Sequence, residues 1–391
     1  MPAPQPSDAD LDQFLVRIRG VTERWARKHA LWQDCSLKDP LDHYNDEPRA
    51  GDGFLLLCGD GPAVRAIVDW DDAESELRNT LAKAGVYTEN EDAVTVTYQF
   101  TDPDDPRSAA FERRSRWRWM CRLLQADTHD VSGDLYQHFV DHPQDMQRLP
   151  SRDFERLVAS IFAARGWRAE LGPGTGDGGV DVRLWQADPL GEILTLVQVK
   201  RYAVDRPISL EAVAALEGHV ERQRASRGLF VTSSRFLPGV RQFANLNRHR
   251  LALADANDVA RWCEDNAAQA RIAKARAFTP TMLSDFAKGL GDVRPHHGIV
   301  IGGHSRPHFA LVLKEAAHSA LLVHVPARLT SGDWQRGMVA PVLDGRTESP
   351  FRGDPVFRAR RTTNAQGISY WGQRQLFRPW DGVPALHEIW D

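Results

Sequence analysis

Hydrophobic and polar positions along the chain fall into three stretches with different rhythms. In the first, Leu11, Leu15, Ile18, Trp25 and Leu31 recur at roughly helical spacing and predict a helix over 11–31. The apolar runs FLLLC at 54–58 and AVRAIVDW at 63–70 read as strands joined by the turn-prone GDGP. A helix over 72–84, a strand at 93–100 (AVTVTYQF), an acidic proline-bearing loop at 101–108 and a basic helix over 111–124 complete an α+β pattern.

The middle stretch has the clearest rhythm. Residues 132–149 read as a helical lead-in interrupted at Pro143. Ser151 is placed to cap a helix reaching about Arg165, with Phe154, Leu157, Val158, Ile161 and Phe162 on one side and Gly166 ending it. The glycine-rich LGPGTGDGG at 171–179 precedes a strand at 180–185, and a polar turn at 188–192 leads into a second strand at 192–202 (EILTLVQVKRY). A helix at 208–224, a strand at 228–234, a helix at 238–247, a strand at 251–255 and a helix at 257–272 follow. A hairpin succeeded by helix–strand–helix–strand predicts an α/β core with a mixed sheet. Beyond Ala277 strand signals dominate, at 298–302, 309–315 and 320–326, ahead of a tail rich in Arg, Gly and Trp. The expected regions are 1–126, 132–276 and 277–391, with no internal repeat.

Length and composition agree with this division. A chain of 391 residues exceeds one ordinary core, and 42% hydrophobic with 26% charged residues is the balance of a soluble globular protein. No run of 18 apolar residues predicts a membrane helix. The opening MPAPQPSDADLDQF lacks the basic-then-apolar order of a secretory signal, so a cytoplasmic protein is expected. Cys35, Cys58, Cys121 and Cys263 lie far apart without a CxxC and are expected as free thiols. Charge is uneven: residues 1–149 hold 17 Lys and Arg against 28 Asp and Glu, a net of −11, whereas 150–276 hold 19 against 15, a net of +4. A modestly basic middle suits phosphate contact, and the acidic first third does not resemble a DNA-binding arm.

Metal-assisted phosphodiester hydrolysis needs carboxylates for Mg²⁺, a means of generating or orienting hydroxide, and a cation to offset charge in the transition state. One or two carboxylates with a carbonyl oxygen suffice, because magnesium keeps several of its waters. The middle stretch offers these parts in a workable order. Asp181 stands early on a strand after the flexible glycine loop, and Gln198 and Lys200, two apart on the next strand, share a face while Val197 and Val199 point the other way into the core. The segment 182–197 has the length of a hairpin that returns beside Asp181, and Glu155 on the preceding helix is placed to add a second carboxylate from the side. Asp177 reads as a loop former more than a ligand.

The ordered string FERLVASIF, GW, GDGGVDV, VQVKRY, RGLFVTSS and FA over about 149–266 resembles the Mrr-like restriction endonuclease catalytic domain of the PD-(D/E)XK nuclease superfamily. The resemblance covers roughly a third of the chain, and the lead-in at 132–149 looks typical of it. It implies a restriction-endonuclease-like α/β core with a mixed sheet flanked by helices, between an N-terminal α+β region and a C-terminal strand-rich region. It implies Asp181 as the metal-binding aspartate, Gln198 in the carboxylate position of a QxK variant, Lys200 as the catalytic lysine and Glu155 as the helix carboxylate, so that Asp181, Gln198 and Glu155 hold Mg²⁺, with Mn²⁺ as a substitute. Gln198 departs from the general pattern by offering a neutral oxygen, so Glu155 or Asp177 must supply the missing charge.

Other signals carry less. Gly174, Gly176 and Gly179 match GxGxxG, but a strand follows them where a dinucleotide site requires a helix. Arg113, Arg114, Arg116, Arg118 and Arg122 with Trp117 and Trp119 read as a solvated basic face paired with acidic surroundings rather than as a nucleic-acid surface. His296, His297, His304 and His308 lack zinc-like pairing and read as surface histidines, and the Arg358, Arg360 and Arg361 cluster serves phosphate contact or solvation equally well.

The expected function is a metal-dependent DNA endonuclease of the type IV restriction or anti-phage kind. One alternative is a dormant nuclease released when the terminal regions sense a ligand or phage protein. Another is a retired nuclease fold used only for DNA or protein binding. DNA is the expected partner, no membrane is involved, and double-strand cleavage would call for a homodimer, since one site cuts one strand.

Overall fold

A computed structural model describes residues 6–49, 51–69, 72–125, 133–174, 179–189, 191–203, 205–277, 298–303, 306–315, 319–343, 346, 355–364 and 367–388. The chain divides into two compact units, Met1–Met120 and Cys121–Asp391.

In the first unit, α1 (Asp8–Lys28) begins three residues before the apolar periodicity does, because Ser7 and Asp10 form a capping box. It is followed by β1 (Cys35–Lys38), α2 (Pro40–Tyr44), β2 (Leu55–Gly59), α3 (Pro62–Val68), α4 (Asp72–Ala82), β3 (Val86–Asp92), β4 (Thr95–Phe100) and α5 (Pro106–Gln125), which crosses the boundary between the units. The sheet is antiparallel in the order β1-β2-β4-β3. Phe14, Phe54, Phe100 and Phe111 cluster over it, with ring centroids as close as 4.6 Å for Phe54 and Phe100. The strand expected at 63–70 is instead α3. Pro62 at its first turn presets a helical φ and needs no donor there, and Ala63, Val64, Ala66 and Ile67 then fall on one buried face. On α5, Arg114 pairs with Asp12 at 2.7 Å and Arg118 with Asp39 and Asp42, while Trp119 is buried, as the solvated-face reading expects.

In the second unit, α6 (Gly133–Asp141) and one turn of 3₁₀ helix at Pro143–Gln147 lead into α7 (Ser151–Ala163). Pro150, not Ser151, occupies the N-cap. Its extended ψ of 148° turns the chain into the helix and its carbonyl accepts the Asp153 and Phe154 N–H groups, so Ser151 is already the first helical residue. Next come β5 (Arg168–Leu171), β6 (Val182–Asp188), β7 (Gly191–Lys200), α8 (Leu210–Arg222), β8 (Arg227–Thr232), α9 (Pro238–Leu246), β9 (Leu251–Ala254) and α10 (Ala256–Ala277). They build a mixed five-stranded sheet in the order β5-β6-β7-β8-β9, antiparallel through β7 and parallel from β7 to β9. Both faces of β7 are covered, so Leu196 is as buried as Val197. Leu196 joins Val180, Val213, Leu216, Val220 and Phe230 in a core shared with α8, and α7 packs against β6 and β7.

The chain then runs through β10 (Ile299–Gly302), β11 (His308–Glu315), β12 (Ser319–Val325), β13 (Ala327–Gly332), β14 (Arg336–Pro341), β15 (Val356–Asn364), β16 (Gly367–Gly372), β17 (Gln375–Pro379) and β18 (Ala385–Glu388). Strands β10, β11, β12, β15, β16 and β17 close into a barrel, and β13, β14 and β18 form a separate three-stranded sheet. Alternating positions fill the barrel wall: Val300, Ala310, Leu322, Phe357 and Phe377 form one apolar cluster and Ile299, Phe309, Leu311, Val323 and Val356 another. No described helix is long and apolar enough to cross a membrane.

Candidate active site

Asp181 stands one residue ahead of β6, at the end of the β6–β7 ladder. Its N–H donates to Val197 O at 2.9 Å, and its carbonyl accepts the Gly172 N–H at 2.8 Å. Its carboxylate Oδ2 accepts the Val199 N–H at 2.7 Å. The paired register ends at Val182 with Val197, and Asp181, one residue earlier, bonds to the Val197 carbonyl and the Val199 N–H, on either side of Gln198. The aspartate is therefore fastened to the main chain between Gln198 and Lys200. Burying a carboxylate is costly unless donors replace water, and the Val199 amide is such a donor.

Gln198 is 9% exposed and Asp181 7%. The amide oxygen Oε1 of Gln198 is buried without a hydrogen-bond partner among the described residues. An unsatisfied buried polar atom of this kind costs about 1–3 kcal/mol. Gly179 has φ of +89°, and a Cβ built on it would lie 2.9 Å from Gln198 Nε2. Glycine is needed there twice over, for the left-handed backbone and for the room it leaves the amide. A carboxylate and an unsatisfied carbonyl oxygen on the two arms of one hairpin are the kinds of donor that suit a hard divalent cation. Among the described residues no group of three or more His, Cys, Asp or Glu is arranged to hold a metal, so most of such an ion's ligands would be water or phosphate.

Lys200 ends β7 half-buried, and its carbonyl accepts from Thr232 Oγ1 at 2.8 Å. Glu155, 9% exposed on α7, is held by Arg152, whose Nη1 donates to Oε2 at 2.7 Å. The same guanidinium donates through Nη2 to Gly172 O at 2.7 Å, and Gly172 N–H reaches Asp181 O. Arg152 thus bridges the helix carboxylate to Gly172, just past β5, which in turn holds the Asp181 carbonyl. The sequence reading passed over Arg152; its position three residues before Glu155 on a helix was the available signal. The hairpin closes Asp181 onto the main chain at Val197 and Val199, the residues on either side of Gln198, with Lys200 next along β7, while Glu155 is connected to Asp181 through Arg152 and Gly172. Asp177 and Gly176 lie outside the described residues.

The four cysteines are free thiols. His308 is half-buried in the barrel wall rather than a surface residue. Burial, then His324, His387 and Arg306, push its pKa down to about 4, which leaves the ring neutral. His296, His297 and His304 lie outside the described residues. Arg361 lies 3.4 Å from Glu315, and Arg360 is exposed.

A family model described as a restriction endonuclease, the Mrr catalytic domain, matches residues 146–263. Residues 146–263 are an Mrr-type restriction endonuclease domain. The domain contains Asp181, Gln198, Lys200, Glu155 and Arg152, and with its strand order it accounts for the mixed α/β core. An uncharacterized protein, y4cE, of Sinorhizobium fredii is 26% identical over 137 residues, which are 34% of this chain and 35% of that protein. The match therefore spans about a third of the relative's length. Among solved structures, the MspJI restriction endonuclease in complex with a 27-mer oligonucleotide is 21% identical over 37% of this chain and 30% of its own, with a TM-score of 0.24. The DNA modification-dependent restriction endonuclease AspBHI is 14% identical over 48% of this chain and 60% of its own, at 0.25. The restriction endonuclease FokI is 12% identical over 53% of this chain and 41% of its own, at 0.27. At such scores no geometry passes from those structures to this restriction endonuclease domain.

Proposed function

We propose that the chain is a metal-dependent DNA endonuclease whose working residues are Asp181, Gln198 and Lys200, with Glu155 as a fourth member. The observation that carries this reading is the closure of the Asp181 carboxylate onto the Val199 N–H, between Gln198 and Lys200, on a strand whose Gln198 keeps a buried amide oxygen without a donor among the described residues. Asp181, Gln198 and Glu155 would hold Mg²⁺, or Mn²⁺ in its place, and the ion when bound supplies Lewis acidity at the scissile phosphate. Asp181 keeps its orientation through the Val199 N–H. Gln198 directs a neutral oxygen to the same place, so most of the negative charge comes from Asp181. Glu155 adds charge to the extent that Arg152 releases it. Lys200 provides the cation that offsets charge gathering on the phosphoryl oxygens as the bond to the leaving 3′ or 5′ oxygen breaks.

The domain match and the resemblance favour restriction of foreign DNA, of the type IV or anti-phage kind, in the cytoplasm. In this reading residues 132–276 cut, while residues 1–126 and 277–391 recognise a DNA feature or a trigger. A homodimer would cut both strands. The binding-only alternative is disfavoured, because a retired site has no chemical reason to keep its aspartate, amide and lysine in register. The test is cleavage of methylated and unmethylated plasmid, single-stranded DNA and phage DNA by the purified chain with Mg²⁺ or Mn²⁺. Lys200→Ala and Asp181→Ala should each abolish cutting, and Asp181→Ala should also abolish metal-dependent thermal stabilisation. Failure of the wild type to cut any of these substrates refutes the proposal.

A further inference from the structure

Beside Lys200 the structure holds a second arrangement that hydrolysis itself does not use. At the end of β8, Thr232, Ser233 and Ser234 are consecutive, buried hydroxyl residues. Parallel pairing sets Thr232 against Lys200, and each hydroxyl grips the main chain that follows β7. Thr232 Oγ1 donates to Lys200 O at 2.8 Å. Ser233 Oγ donates to Tyr202 O at 2.8 Å and accepts the Tyr202 N–H at 3.0 Å. Ser234 Oγ donates to Arg206 O at 2.9 Å, and the Ile208 N–H reaches Arg235 O at 2.9 Å. The loop after the lysine is thus anchored at residues 200, 202, 206 and 208.

What these anchors hold is positively charged. The exposed Arg206 guanidinium lies 4.1 Å from the centroid of the Tyr202 ring. Arg201 donates to Gln147 O at 3.3 Å, and its buried Nε has no acceptor among the described residues. In the same domain region Arg148, Arg152, Arg156, Arg165, Arg168 and Arg241 each face a carboxylate within 3.0 Å. Among the described residues none of Lys200, Arg201, Arg206 and Arg235 has such a partner. A guanidinium stacked on an aromatic ring keeps its fork of donors directed outward, which suits a phosphate. A loop already fixed by its main chain gives up little freedom when it binds.

We infer that Arg206, seated on Tyr202, contacts a backbone phosphate of DNA flanking the scissile bond, and that Ser233 and Ser234 are positioning residues acting through it. The inference rests on the nuclease reading for the identity of the polyanion. It is tested by equilibrium binding of the full chain to a short DNA duplex in EDTA, so that nothing is cut, between 50 and 200 mM salt. Arg206→Ala weakens binding about tenfold at 100 mM and lowers the slope of log Kd against log salt by about one. Ser233→Ala moves both quantities the same way, Ser233→Thr restores them, and the double variant Arg206→Ala/Ser233→Ala binds no worse than Arg206→Ala alone. An unchanged slope in Arg206→Ala overturns the contact. Additive losses in the double variant overturn the positioning role. Where Ser233→Ala lowers the melting temperature sharply, Arg206→Ala, a surface change, carries the test. A chain that binds in this manner but cuts no DNA with Mg²⁺ or Mn²⁺ keeps the contact and loses the nuclease; one that cuts normally with an unaltered slope in Arg206→Ala does the reverse.

Discussion

Gly179 is a residue whose whole contribution is what it lacks. A methyl group there would meet Gln198 Nε2 at 2.9 Å on a backbone with φ of +89°. Gly179→Ala should therefore cost about 1–2 kcal/mol from the left-handed backbone alone and displace the amide that presents the unsatisfied oxygen. The expected outcome is a modest drop in melting temperature with a more than tenfold loss of cleavage, read from thermal unfolding and plasmid nicking on the same samples. That Gln198 and Lys200 share a face of β7, with Asp181 on the segment that returns beside them, was legible in the sequence from strand alternation and hairpin length. The need for Gly179 was not, since a close approach between two side-chain positions across a loop leaves no trace in periodicity. Arg152 escaped notice for a related reason: an arginine on a helix face looks the same whether it meets water or Glu155.

Elements were legible in proportion to how strongly one period dominated them. The mixed-sheet core of β6, β7, α8, β8 and α9 followed from long apolar runs broken by glycine and proline. α3 was misread because AVRAIVDW is rich in β-branched residues yet also satisfies helical spacing; Pro62 decided the matter. β3, with the sequence VYTENED, is mostly exposed, and strands such as β13 carry polar residues on their open side, so neither shows an apolar pattern. α7 illustrates what an element does for the site. It carries Glu155 and Arg152 as an ion pair and Asp153 with Arg156 as another, at 2.7 and 2.6 Å, on its partly covered side. Arg152→Ala leaves Glu155 without its donor and Gly172 O without one of its contacts. A loss of about 1–3 kcal/mol is expected, partly recovered in Arg152→Lys, and measured by chemical unfolding with the metal absent.

At the scale of the molecule, a mixed α/β fold with an added strand-rich region was expected and is present, but closure of β10, β11, β12, β15, β16 and β17 into a barrel was not foreseen. Closure depends on pairing β10 with β17, strands far apart in sequence, and no local pattern announces it. The barrel brings a pH dependence of its own. Burial holds His308 at about 4, below its ordinary 6.5, and also lowers His324. In the unfolded chain these rings take up protons near 6.5, and in the folded barrel they resist doing so, so stability is full above that pH and declines as pH falls from about 6.5 toward 4. Acid unfolding followed by tryptophan fluorescence should show this decline, and His308→Gln should flatten it.

The bond between the Asp181 carboxylate and the Val199 N–H makes one backbone amide a natural gauge of the site. Any ion that draws charge from the carboxylate weakens what that amide feels, while the surrounding ladder stays closed. Adding Mg²⁺ should therefore shift the Val199 amide resonance well beyond those of Leu196 or Val197, without faster hydrogen exchange along the strand. Occupancy could then be followed on an uncut protein, in the absence of DNA, from a single peak.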